Sequence, residues 1–532
     1  MKTRIATSAF MLASAIALSA QSIVRCEIVV PVLDLSHRVV TASAPDGHSY
    51  PVFQVALQSK LVDEIRHTLD TSFAQQALRL DRYARNLILA RRREAHVSES
   101  QEWLTSPMYL LMSTEEGGFA RFGFWLQDSS GKRRLVLAGY VDLVIRDGLS
   151  DGIFSHELGH LILKTLTGGV QDGQSRKMHQ SMTVTDYPTA FDEGYAEHFE
   201  PLARDFDAPK PDSGAVATDF DLFWLSAADG QLRIDGVKRN LFVHRKPLPE
   251  SAFDEQIDLY RLFVDAETST AFLPTTLKNG QQMMASEGVV STLFYRIVND
   301  DQLRSHYREP SFYRPFLPDD SRRPKDAITP AENVNLKLFA AMTELRGFNR
   351  DQPPMISLVE HYAKLFPDEA KRIYRDFIVT TWGATASQQL ASQLMRTAED
   401  GGRGDISAFR RDEASSLFDT TIADVTNGKR TLDDNLGPEL WIVNSEFKIA
   451  SAMWVTDRQL PLTINLNTAT EPELMTIGGV DFAAARKIIR SRDTQGFFHN
   501  LDDLYTIVSP EIMRKLKSMS KEMKRLPAYQ RE

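Results

Sequence analysis

The chain of 532 residues contains a single cysteine, Cys26. An intramolecular disulfide is therefore excluded, and the fold must rest on core packing and on any metal it binds. An excess of positive charge is also missing. Lys and Arg number 62 against 71 Asp and Glu, for a net charge of −9. That balance excludes a protein that binds nucleic acid over its whole surface, but not one with a local basic patch. Past the N-terminus no apolar stretch reaches spanning length without charge, so no membrane span is expected. There is no low-complexity tract and no repeat of solenoid period. A composition of 42% hydrophobic and 25% charged residues is that of an ordinary soluble globular protein. The length is too great for one core, so several domains are expected.

The first twenty-two residues have a pattern of their own. Lys2 and Arg4 precede an apolar run from Ile5 to Ala20, and small residues follow around Ser22. This reads as a secretory signal peptide over 1–22 and predicts a secreted or periplasmic protein. Arg25 stands before Cys26 where a lipoprotein signal would place a small residue.

Beyond the leader, Leu57, Leu61, Ile65 and Leu69 recur every fourth residue, and Leu78, Leu80, Leu87 and Leu89 continue an apolar face. Residues 27–106 are read as mainly helical on this basis. From Pro107 to Arg146 the texture changes to aromatic and branched residues. Gly117-Gly118 and Ser129-Ser130-Gly131 punctuate it into three strands with tight turns. Helical periodicity resumes at Ser150. Repeated Pro, Arg and Asp over 308–331 mark a boundary, 332–450 reads as helical, and Pro461 opens a final segment, 461–532. The fold class expected is α+β: a small mixed sheet, a mainly helical lobe, a helical linking region and an all-α C-terminal module.

Chemistry concentrates at Ser155-His156-Glu157-Leu158-Gly159-His160. Helical residues four apart differ by about 40° in projection, so both imidazoles face one way and can share an ion. Glu157, one step along, can reach a water on that ion without being a ligand. Ser150 or Asp151 can cap the helix, Phe154, Leu158, Leu161 and Ile162 form its apolar stripe, and Gly168-Gly169 end it. A third ligand is needed. The third-His variant of this motif requires Gly at 163 and His at 166, where this chain has Leu163 and Leu166.

Downstream lies Phe191-Asp192-Glu193-Gly194-Tyr195-Ala196-Glu197-His198. With the first motif, it resembles the gluzincins, the thermolysin and aminopeptidase class of zinc peptidases. The resemblance covers roughly residues 107–300, and the peptidase domain is placed at 107–307. It implies one Zn2+ per chain on His156, His160 and Glu193, with Glu157 as general base in the hydrolysis of a peptide or protein substrate. Glu197 shares a helix face with Glu193 and suits a carboxylate that orients a ligand histidine. His198 lies about 140° round and points elsewhere. Pro201 is expected to end or kink this helix. The resemblance implies an oxyanion donor from the following helical lobe; Tyr295 and Tyr260 are the candidates. It also implies that an edge strand, Phe119 to Leu126, pairs with substrate. Gly117-Gly118-Phe119-Ala120-Arg121 departs from the amine-anchoring loop of the aminopeptidases, which favours an endopeptidase.

The C-terminus carries a second pattern. Ile464-Asn-Leu-Asn-Thr-Ala-Thr-Glu-Pro-Glu-Leu474 leads to Ile477-Gly-Gly-Val-Asp481, then to Ala484-Ala-Arg-Lys-Ile-Ile-Arg-Ser-Arg492 and Leu501-Asp-Asp-Leu504. It looks like the helix-hairpin-helix module of DNA-uptake competence proteins. The resemblance implies phosphate contacts from the hairpin, with Arg486, Lys487, Arg490 and Arg492 able to reach a nucleic-acid backbone. Asp481 replaces the family's second glycine and opposes phosphate. Over 461–532, eleven Lys and Arg face nine Asp and Glu, a balance of +2. A DNA or protein partner is thus expected through this module. The alternative to a zinc peptidase is an envelope protein that binds DNA or another protein and whose metal site is structural or inactive.

Overall fold

The computed structural model describes residues 23–97, 102–146, 148–169, 173–207, 226–245, 259, 262, 276–318, 320, 322–345, 352–402, 408–450 and 459–526. The expected signal peptide and Tyr260 lie outside the described residues. The fold is mixed α+β. Two compact units make it up, each drawn from several stretches of chain. The first comprises Met1–Gly169, Leu202–Pro209 and Val298–Ala340; the second comprises Val170–Pro201, Lys210–Ile297 and Ala341–Glu532.

The first unit is built on a six-stranded mixed sheet. Its strands are β1 (Cys26–Pro31), β2 (Thr41–Ser43), β3 (Ser49–Val55), β4 (Met108–Ser113), β5 (Gly118–Gln127) and β6 (Arg133–Val144), in the order β1-β4-β6-β5-β3-β2. β1 also pairs antiparallel with β3, so five of the strands close on themselves. Val29, Phe53, Tyr109, Phe124 and Tyr140 fill the enclosed space as one buried cluster. Phe124 meets Tyr109 and Tyr140 edge-on at 4.9 and 5.4 Å between ring centroids, and stacks on Phe53 at 5.0 Å. Such offset and edge contacts are the favoured aromatic geometries.

Three strands from Met108 to Val144 stand where the glycine-punctuated texture predicts them. β1, β2 and β3 are a difference: residues 27–106 contribute half of the sheet's strands as well as helices. Helix α1 (Lys60–Thr71) begins three residues after Leu57, which is exposed, and its buried stripe is Val62, Ile65 and Leu69. Ser59 caps it through Val62 N at 3.3 Å, and Ser72 caps α2 (Phe73–Glu94) through Ala74 N at 3.2 Å. Within α2, Arg79 Nε donates to Glu332 Oε1 at 2.7 Å, with both side chains buried. Glu332 therefore belongs to the core of the first unit, which extends to Ala340, beyond the proline-rich boundary.

Helix α3 (Asp151–Thr167) packs on α2 and on the sheet. Phe154, Leu158, Leu161 and Ile162 are buried along one stripe. Close approach is possible because Gly139 of β6 lacks a side chain: a methyl group there would stand 2.9 Å from Leu161. Ser150 takes the N-cap position without a side-chain hydrogen bond, and Gly168, at φ 84°, ends the helix in the left-handed region.

The second unit is mainly helical. It contains α4 (Tyr187–Glu197), most of α5 (Glu287–Asn299) and the C-terminal module. The module begins earlier than Pro461. A hairpin of β7 (Trp441–Ala450) and β8 (Gln459–Asn465) supplies Ile442, Ile449, Leu462 and Ile464 to the same buried cluster as helices α6 (Glu471–Met475), α7 (Phe482–Gln495) and α8 (Pro510–Met523). Thus 332–450 is helical only up to Thr426, and the module carries a two-stranded sheet. No helix among the described residues is long and apolar enough to cross a membrane.

Candidate functional site

In the first unit, α3 presents His156 and His160 together, both half-buried, with ring centroids 5.2 Å apart. Glu157 is buried beside them at 8% exposure. Its carboxylate lies against the start of β5, where a methyl group on Gly118 would come within 2.8 Å of Glu157 Oε1. The absent side chain is what makes room for the carboxylate. Among the described residues, β5 pairs at this end with β6 alone; β3 joins only at Trp125–Gln127. The strand read as a substrate-pairing edge is open over its first half and covered over its last residues.

In the second unit, Asp186 caps α4 by accepting from Thr189 N at 2.8 Å and from Ser175 N at 2.7 Å. The preceding segment is tied to the start of α5 by the Val184–Ser286 bridge and by Thr185 N donating to Ala285 O at 2.8 Å. Gly194 then lets the two helices touch. A methyl group there would meet Glu287 O and Val290 at 2.7 Å. This contact sets two buried carboxylates, Glu193 and Glu287, around one imidazole. His179 Nδ1 is 3.7 Å from Glu193 Oε2 and 3.4 Å from Glu287 Oε2.

Glu197 is fully buried rather than an exposed helix residue. Its Oε1 accepts from Ser181 Oγ at 2.5 Å. Burial pushes its carboxyl well above the usual range, the neighbouring Glu287 charge adds to that, and Arg233 opposes it. His198 sits in an aromatic cluster with Tyr195, Phe199 and Phe294, at 5.0, 4.3 and 5.3 Å between ring centroids, and its Nδ1 meets Tyr195 O. It is a core histidine, as its helical phase implies. The helix breaks at His198, and a new one, Phe199–Asp207, follows. Pro201 does not make the break: it lies in the first turn of the new helix, where a missing N–H costs nothing. Tyr295 is half-buried on α5, one residue past the core residue Phe294.

In the C-terminal module, α6 starts with a capping box between Thr470 and Glu473, and Glu473 Oε1 takes an ion pair from Lys177 at 3.1 Å. The turn Ile477–Val480 follows, with Gly479 at φ 93°. Asp481 caps α7 through Ala484 N at 2.8 Å. Its carboxylate thereby occupies the helix N-terminus that a phosphate would otherwise use. Arg486, Lys487 and Arg490 are exposed on α7. Arg492 is not, which corrects its expected place among the backbone contacts. Fully buried, it donates to Leu466 O at 3.3 Å and Ala469 O at 2.8 Å, and pairs with Asp493. Burial alone would raise the Asp493 carboxyl, but Arg492 and Arg245 together hold it below the usual range.

Residues 462–509 match the family model of the helix-hairpin-helix motif. No curated protein and no solved structure matches the chain.

The helix-hairpin-helix module is therefore at the place its pattern predicts, with a β-hairpin added to its core. Two site residues were not foreseen. His179 lies in a loop without periodicity, and Glu287 is separated from Glu193 by 94 positions. Neither belongs to a local motif; the Val184–Ser286 bridge, the backbone bonds from Thr185 to Ala285 and from Gly288 to Ser181, and the small residue at 194 bring them together.

Proposed function

We propose that this chain is an exported zinc-dependent peptidase, an endopeptidase by preference, that binds its metal through His156, His160 and Glu193. One observation carries the reading: a buried carboxylate, Glu157, beside two half-buried imidazoles on one face of α3, at the open half of β5. The donor types suit zinc, which takes imidazole nitrogen and carboxylate oxygen in catalytic sites with three protein ligands. A zinc ion bound there supplies Lewis acidity and an activated water. Glu157 takes a proton from the attacking water and passes it to the leaving amine. The backbone of Gly118 to Phe122, unpaired on one side among the described residues, adds an extended substrate as a further strand and orients its carbonyl. Zinc content, together with cleavage of a diverse peptide pool by wild type and by Glu157→Gln, tests this. The variant should keep the metal and lose cleavage; a wild type that cleaves nothing overturns the reading.

The helix-hairpin-helix match favours a second reading, an envelope protein that binds nucleic acid or a protein partner and uses its metal structurally. The family match supports this side, since it falls on the binding module. Exposed Arg486, Lys487 and Arg490 support nucleic acid, whereas the Asp481 cap supports a docking role. A wild type that holds zinc, binds DNA at low salt and cleaves no peptide establishes it.

A further inference from the structure

We propose that the second unit holds a zinc ion of its own on His179, Glu193 and Glu287. This goes beyond the proposed function and needs neither His156 nor His160. The two imidazole–carboxylate separations are close to the spacing a four-coordinate ion imposes. With metal–ligand lengths of about 2.0–2.2 Å, tetrahedral donors stand roughly 3.3–3.6 Å apart. His179 Nδ1 is 3.4 Å from Glu287 Oε2 and 3.7 Å from Glu193 Oε2, and one ligand atom from each of the three residues lies within 4.8 Å of the others.

Glu287 is the side chain that asks for a ligand. It is 4% exposed, and its Oε2 accepts no hydrogen bond although it faces the imidazole. A buried carboxylate oxygen in that state requires an explanation, and a cation provides one. Glu197 strengthens the point. Its Oε2 is also buried without a hydrogen bond, and a negative charge on Glu287 disfavours a second one there. One imidazole proton can satisfy a single acceptor, whereas a divalent ion attracts both facing oxygens at once. Three protein ligands, drawn from imidazole nitrogen and carboxylate oxygen, leave the fourth position of a tetrahedral zinc ion open. The His179 side chain is 53% exposed, which gives the ion a way in. Gly194, by admitting the start of α5, fixes the two carboxylates in place.

Titration of the metal-stripped full chain with Zn2+, followed by calorimetry and elemental analysis, tests the proposal. His179→Ala and Glu287→Gln should each remove one equivalent of bound Zn2+ while the far-ultraviolet circular dichroism stays that of the wild type. His179 is half-exposed, so its variant keeps the test valid if Glu287→Gln misfolds. His156→Ala should leave this equivalent bound. If His179→Ala binds Zn2+ with wild-type stoichiometry and affinity, the proposal is wrong. If His156→Ala loses no zinc while His179→Ala does, this site stands and the proposed peptidase centre loses its metal.

Discussion

Helix α3 and helix α7 both carry a motif, and the two use their polar residues in opposite ways. On α3 the two histidines stay within reach of solvent. His156 and His160 remain half-exposed, and Glu157 is accommodated by the missing side chain of Gly118. On α7 two residues at the motif's functional positions have been drawn into the architecture. Asp481 caps the helix, and Arg492 holds two backbone carbonyls from inside the core. A sequence motif thus predicts where a helix and its side chains are. Whether those side chains bind a ligand or bind the fold depends on their surroundings.

The largest effect that sharpens this contrast is on α3. Glu157→Gln should lower peptide cleavage by about 10²–10⁴-fold, the usual contribution of a general base, with no change in melting temperature. Parallel loss of stability and activity would place Glu157 on the structural side with Arg492. The complementary change on α7 is Arg492→Ala. It strands the carbonyls of Leu466 and Ala469 and removes a partner of Asp493. Breaking a buried, hydrogen-bonded charge network costs about 3–5 kcal/mol, so urea unfolding should shift strongly. The same network gives a pH dependence. The Asp493 carboxyl is held low in the folded state, so its contribution is present above the ordinary carboxylate pKa and is lost as pH falls through the lowered folded value. Acid unfolding of Asp493→Asn should lack that loss.

Much of this contrast is legible in sequence and part is not. Periodicity and glycine punctuation predict α3 and the three strands from Met108 to Val144, because each depends on local pattern, and the resemblance to the zinc-peptidase class implies the helix bearing Glu193. β1 and β3 escape the same reading. They pair with each other and with the distant β4 and β5, Pro31 ends β1, Pro51 falls inside β3, and β2 has three residues. β7 is missed for a related reason: its apolar Trp441-Ile442-Val443 makes sense only against Leu462 and Ile464 across the hairpin. At the candidate site, His156, Glu157 and His160 announce themselves by spacing and Glu193 through the resemblance to the zinc-peptidase class, whereas His179 and Glu287 depend on tertiary contacts.

A smaller effect tests the room made for Glu157. Gly118→Ala places a methyl group 2.8 Å from Oε1 and 3.0 Å from Leu143. Overpacking of this kind costs about 1–3 kcal/mol when the neighbours cannot move. The Glu157 side chain can rotate away, so the expected outcome is a modest loss of stability and a larger loss of cleavage. The reverse order, with stability lost and cleavage kept, would show that the carboxylate position is incidental to the reaction.

The smallest effect concerns the exposed side of α7, and it decides which way that helix is used. Arg486→Ala, Lys487→Ala and Arg490→Ala should leave unfolding unchanged, because these side chains are exposed on α7. If the module binds nucleic acid, each replacement that removes a phosphate contact lowers the salt slope of binding by roughly one unit. The Asp481 cap argues for weak binding, because its carboxylate stands where the hairpin would hold phosphate. Asp481→Asn keeps a capping oxygen for Ala484 N and removes the charge. Tighter DNA binding by that variant at low salt would show that the hairpin geometry is intact and that a single carboxylate has turned a phosphate-binding turn into a structural one. No change would mean that the turn itself no longer presents its N–H groups, and α7 would then belong wholly to the architecture.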